Sequence, residues 1–167
     1  RDRAQVASLV AELRAAVGRA DAPVLIDQEG GRVQRLQPPD WPAYPAGSTF
    51  PRHYGQAREQ GVRAAFLSAR LSAGDLSELG ITVDCLPLAD VPVAGADDVI
   101  GDRAYGNEPG MVAEIAGAVA QGLAAGGVLP ILKHIPGHGR ATADSHEMLP
   151  VVETELAELE RTDFAAF

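Results

Sequence analysis

Hydrophobic residues follow two alternating patterns along the chain. Val6, Leu9, Val10, Leu13 and Val17 recur at intervals of three and four, which is the spacing of one helix face. Gly18 follows, where a left-handed cap would end that helix. Residues 23–27 then form a short apolar run, and similar runs return at 81–86 and 128–134. Each is rich in Val, Ile and Leu and lacks strict alternation, the pattern of parallel strands covered on both faces. Helical spacing fills the intervals: Val62, Phe66, Ala69, Leu76 and Leu79 before Gly80, then Val112, Ile115, Ala116, Val119 and Leu123 before Gly126 and Gly127. For the last of these Asn107 is the candidate N-cap and Pro109 sits in the first turn. A final helix is predicted to start near Thr154.

Helix, strand, helix, strand, helix, strand, helix is the order of an α/β protein with a parallel sheet and crossover helices. No internal repeat or interdomain linker interrupts it. The Pro-rich segment 37–51 reads as a long loop within the domain, and loops of that length in compact domains usually serve function. Polar groups gather where each predicted strand ends: Asp27 to Arg32 after the first, Asp84, Asp90 and Asp102-Arg103 after the second, Lys133-His134 and Gly137-His138-Gly139 after the third. The carboxyl edge of parallel strands carries the active site in open α/β sheets and in (β/α)8 barrels. A complete (β/α)8 barrel needs about 250 residues, and three strands are predicted here. The expectation is a TIM-barrel-type fold present as a partial barrel, with one strand before Arg1 and several after Phe167.

Composition narrows the partners. The 167 residues carry 14 Lys+Arg against 23 Asp+Glu, a net charge of −9, which argues against nucleic acid or an anionic membrane as the main partner. No apolar run approaches the roughly 18 residues of a spanning helix. Cys85 is the single cysteine, so an internal disulfide framework is excluded and a reducing compartment fits. Within a strand, Cys85 itself reads as inert core.

The richest chemistry lies in Lys133-His134, His138 and Asp144-Ser145-His146. A cation and an imidazole at a strand end suit sugar hydroxyls or an anion. Asp144 and His146 are two apart, so a turn brings the carboxylate to one ring nitrogen and leaves the other to carry a proton. The alternatives are surface histidines in a loop, or a metal site from His134, His138, Asp144 and His146, whose spacing fits no standard zinc pattern. Near the first strand, Asp27 is a candidate hydroxyl ligand and Arg35 a bidentate clamp. Glu29 and Arg32 read instead as structural ion pairs holding a glycine turn. Asp102-Arg103 is equally consistent with a local salt bridge, and Asp84 and Asp90 with loop-ordering carboxylates. Trp41 and Tyr44 read as a packed loop rather than a sugar rim. Gly30-Gly31 lacks the spacing of a phosphate loop.

Taken together, Ile26-Asp27-Gln28-Glu29-Gly30-Gly31-Arg32-Val33-Gln34-Arg35, Pro87-Leu88-Ala89-Asp90-Val91, Ile100-Gly101-Asp102-Arg103, Lys133-His134-Ile135-Pro136-Gly137-His138-Gly139 and Asp144-Ser145-His146 resemble glycoside hydrolase family 3. Within it they are most similar to the β-N-acetylglucosaminidases of bacterial cell-wall recycling. Ile135 departs from the phenylalanine more usual there. The resemblance spans the whole chain and implies one catalytic barrel, of which residues 1–167 are a part. It implies retaining hydrolysis without a metal or other cofactor, in the cytoplasm, on a small carbohydrate bearing a non-reducing β-linked N-acetylglucosamine such as a muropeptide. It makes His146 the acid/base, oriented by Asp144, and assigns sugar binding to Asp27, Arg35, Arg103, Lys133 and His134. The nucleophilic aspartate falls outside these residues. Two other readings stay open, a non-catalytic sugar-binding or assembly fragment and a metal-dependent barrel hydrolase.

Overall fold

The computed structural model describes residues 2–167. Helix α1 spans Arg3–Val17, opened by Asp2, whose carboxylate accepts the Gln5 N–H at 2.8 Å, and closed by Gly18 at φ 71°. Strand β1 (Leu25–Ile26) leads into a hairpin of β2 (Gln28–Gly30) and β3 (Val33–Gln34). Helices α2 (Thr49–Gln56) and α3 (Arg58–Glu78) precede β4 (Val83–Asp84). Helix α4 (Pro109–Ala125) precedes β5 (Leu129–Pro130), and α5 (Leu156–Arg161) ends the series.

The main sheet has the order β1-β4-β5, with both pairs parallel. This is the expected succession of the three runs. The ladders are only two residues long, but hydrogen bonds extend them toward the site: Cys85 N donates to Ile26 O at 2.8 Å and Lys133 N to Pro87 O at 3.0 Å. Leu25 and Leu129 are exposed, so these strands are not covered on both faces as the pattern predicts. Val83, in register between them, is buried, so that face is open only at its two outer strands, consistent with a partial barrel.

Helices α3 and α4 cover the other face. Ala65, Ala69, Ala73 and Leu76 of α3 pack with Val112, Ile115, Val119 and Leu123 of α4 in one core. Small residues let the two backbones approach; a Cβ on Gly122 would lie 2.3 Å from the Phe66 carbonyl oxygen. The predicted α4 face is buried in full, whereas on α1 only Val6 and Val10 are buried and Leu9, Leu13 and Val17 are exposed. Two local expectations are corrected. Glu108, not Asn107, caps α4, its carboxylate accepting the Gly110 and Met111 N–H groups. The segment 37–51 is not all loop, because α2 begins within it at Thr49. Trp41 is buried beneath the Arg3 guanidinium and the Tyr44 hydroxyl donates to Asp75 at 2.7 Å, the packed-loop arrangement.

Candidate active site

Strand polarity brings the predicted residues together. β1 delivers Asp27, the chain past β5 delivers Lys133 and His134, and the β2–β3 hairpin folds back to bring Glu29 and Arg35 to the same end. Two buried amides brace this hairpin. Gln28 Oε1 accepts the N–H groups of Arg35 and Leu36 at 2.9 and 3.0 Å. Gln34 Nε2 donates to the carbonyls of Leu36 and Pro42, both at 2.7 Å. Arg35 is thereby set on a fixed backbone, 3.8 Å from Asp27.

At the centre Lys133 Nζ lies 2.9 Å from Asp27 Oδ1 and 2.5 Å from Glu29 Oε1. Glu29 also accepts two hydrogen bonds from Arg103, Nε at 2.8 Å and Nη2 at 2.9 Å. Arg103 rises from the 3-10 turn Gly101–Arg103, and its Nη1 donates to Val99 O. Three of its five N–H donors are engaged in this way, which holds it against Glu29 and leaves one N–H on each terminal nitrogen for another partner. Glu29, expected to be a structural ion pair, forms one, but with the distant cations Arg103 and Lys133 rather than the adjacent Arg32, and its side chain is 4% exposed. Arg32 does brace: its partners are Asp102 at 2.8 Å and the carbonyls of residues 98–100. The Asp102–Arg103 pair does not form as a local bridge, since each side chain pairs elsewhere.

Burial pushes the Asp27 carboxyl upward, but the Lys133 hydrogen bond and the charges of Lys133, Arg35 and Arg103 outweigh it, so its pKa is lowered. Asp27 is an anion with its outer face open, 42% exposed. Such an anion accepts hydrogen bonds from sugar hydroxyls strongly.

Asp90 was expected to order a loop, and it does so through the site itself. It is fully buried, faces His134 Nδ1 at 2.7 Å through Oδ2, and accepts the His138 N–H at 2.7 Å through Oδ1. A carboxylate at Nδ1 fixes the tautomer and turns the other ring nitrogen outward. Cys85 is half-buried rather than core, with its thiol pKa raised chiefly by burial.

The segment after Lys133 carries the second unit. Asp144 Oδ1 accepts the His146 N–H at 2.9 Å and faces His146 Nδ1 at 2.6 Å. The His146 N–H, then its ring, hold the Asp144 carboxyl below its usual range. The His146 ring is 82% exposed. The expected pair is formed, on a loop apart from the Lys133 cluster. That loop springs from the cluster's edge, where the His134 and His138 rings are 6.3 Å apart and His138 acts on Asp144 through space. Its base is pinned by Arg140, which holds Asp163 at 2.6 Å and Glu158 at 3.0 Å. Gly139 lies flat on the Val91–Pro92 backbone: a Cβ there would fall 2.2 Å from Val91 O. Gly139→Ala is therefore expected to cost about 1–3 kcal/mol, measured by urea denaturation, because backbone must move. Among the described residues no group of three His, Cys, Asp or Glu side chains converges to hold a metal.

Residues 1–167 match the glycosyl hydrolase family 3 N terminal domain. Beta-hexosaminidase LpqI of Mycobacterium tuberculosis is 44% identical over 137 residues, 82% of this chain and 34% of that protein. A beta-hexosaminidase of Bordetella avium is 36% identical over 168 residues, 99% of this chain and 47% of its own length. The crystal structure of NagZ from Neisseria gonorrhoeae in complex with N-trifluoroacetyl-D-glucosamine superposes with a TM-score of 0.90 at 34% identity, over 99% of this chain and 48% of that one. The chain thus spans from a third to about half of the length of these relatives.

Proposed function

The chain belongs to glycosyl hydrolase family 3, and from that premise we propose that it forms the sugar-holding part and the acid/base loop of a retaining exo-β-N-acetylglucosaminidase. Residues 1–167 would then be one portion of a single catalytic barrel. The unpaired edges at β1 and β5 are where further strands would add. The observation that carries the reading is the Asp144–His146 pair on a Gly-rich loop rooted at the Asp27–Lys133–His134 end of the sheet.

In this reading Asp27, Arg35, Arg103, Lys133 and His134 grip the hydroxyl and amide groups of a terminal N-acetylglucosamine, with Glu29 holding Arg103 and Lys133 in place. The loop closes over the bound sugar, bringing His146 to the glycosidic oxygen and shedding water. His146 gives its proton to that oxygen as the bond from C1 breaks, while an aspartate outside these residues bonds to C1 from the opposite face. The imidazole, now neutral, takes a proton from the water that displaces the aspartate, so two inversions give net retention. Asp144 keeps the proton-carrying nitrogen pointed at the sugar. The substrate class is a cell-wall muropeptide or similar glycoside, handled in the cytoplasm.

The test is hydrolysis of an aryl N-acetyl-β-glucosaminide. The complete enzyme should release the aryl group, and the 167-residue chain alone should not. Robust turnover by the chain alone would place a nucleophile within it and overturn the division of roles.

A further inference from the structure

Asp84 ends β4 directly beneath the charged cluster and has no solvent exposure. Its Oδ1 accepts the Gln28 N–H at 3.0 Å. Its Oδ2 is buried without a hydrogen-bond partner among the described residues. Gln28 stands between Asp27 and Glu29, so this one hydrogen bond fixes the segment whose two carboxylates hold Lys133. Lys133, Glu29 and Asp27 act on Asp84 through space. Cys85 and Tyr105 also face its charge. An ionised Asp84 would be a third carboxylate around one ammonium, with a buried oxygen that no protein donor among the described residues reaches, a costly state for a buried charge. The neutral acid still accepts from Gln28 and adds no repulsion.

We infer that Asp84 is a positioning residue that works as the neutral carboxylic acid, holding the Asp27–Glu29 turn in its sugar-binding geometry, and that its ionisation loosens that turn and weakens sugar binding. The inference rests on the sugar-site reading above. Burial, with Glu29 and Asp27 adding to it, pushes the carboxyl from 3.8 up to about 7, against the pull of the Gln28 N–H and Lys133. The neutral form therefore prevails below that pH and disappears above it. Apparent affinity scales with the competent fraction, so one pH unit above the midpoint binding is about tenfold weaker.

The experiment measures N-acetylglucosamine affinity by calorimetry between pH 5.5 and 8.5 in the complete enzyme and its Asp84→Asn and Asp84→Ala variants, together with the NMR titration of the Asp84 carboxyl carbon. Wild type should weaken about tenfold toward pH 8. Asp84→Asn, a permanently neutral isostere, should stay near the acid-side value at every pH, and Asp84→Ala should be weak throughout. The carboxyl carbon should titrate near neutrality, a readout that needs no sugar. A carboxyl that titrates in the usual acidic range, or an Asn variant with the wild-type pH dependence, overturns the role given to Asp84. A near-neutral titration in a protein that binds no N-acetylglucosamine at any pH supports the neutral acid and refutes the sugar-site reading on which its consequence rests.

Discussion

Replacing His146 by alanine in the complete enzyme is expected to slow cleavage of sugar–sugar linkages by about 10²–10⁴-fold, the usual worth of general acid–base help. The loss should be far smaller in the bond-breaking step when the leaving group is an activated aryl oxide. A sugar alkoxide is strongly basic and leaves only if a proton reaches it in the transition state, whereas a weakly basic phenoxide departs without one. The same variant lacks the base for the second step, so activated substrates should produce a burst and then stall. Asp144→Asn should give a milder version, because the imidazole stays while the anion facing Nδ1 at 2.6 Å is lost. Steady-state and pre-steady-state rates across a leaving-group series provide the check. Equal damage for aryl and sugar leaving groups, without a burst, would make His146 a binding residue.

The second large effect is expected at Glu29. Its carboxylate is nearly sealed off and balances both Arg103 and Lys133, which are themselves only 12% and 13% exposed. Glu29→Ala leaves two mostly buried cations facing one another around an empty space. Removing one partner from a buried ion pair typically costs about 3–5 kcal/mol, far above the value of an exposed pair. Urea denaturation of the complete enzyme should show a loss of this order, and sugar affinity should fall with it because Lys133 is no longer held between Glu29 and Asp27. Glu29→Gln should lose less, since its amide oxygen still accepts from one cation. A change below about 1 kcal/mol for Glu29→Ala would mean that the cluster is solvated like a surface pair.

The order and direction of the strands were legible because continuous Val/Ile/Leu runs separated by helical spacing leave few alternatives to a parallel sheet. Asp27, Lys133 and His134 were legible for a related reason: each follows a strand, so strand polarity alone puts them at one end. That Glu29 forms an ion pair was legible but its partners were not, because they lie 74 and 104 positions away in sequence, while Arg32 and the glycines beside it offered a local explanation. The one available signal was its period-two spacing from Asp27, which in an extended segment keeps both carboxylates on one side. Asp90 was hidden in the same way, since its contact with His134 spans 44 positions. The exposed residues of α1 and the open strand face could not be foreseen from periodicity. An apolar stripe shows which side of an element seeks a partner, not whether that partner is among these residues. The cap of α4 turned on one residue, because Asn107 and Glu108 both have acceptor side chains and only the backbone geometry chooses between them.

The most direct measurement is the site of covalent labelling. The His146→Ala enzyme, incubated with an activated aryl N-acetyl-β-glucosaminide and quenched during the stall, should gain the mass of one N-acetylglucosaminyl group. Peptide mass spectrometry should locate that group on an aspartate outside residues 1–167. Label on Asp84, Asp90 or any other residue of this chain, or a stalled enzyme with no label, would contradict a retaining mechanism divided between His146 here and a nucleophile elsewhere.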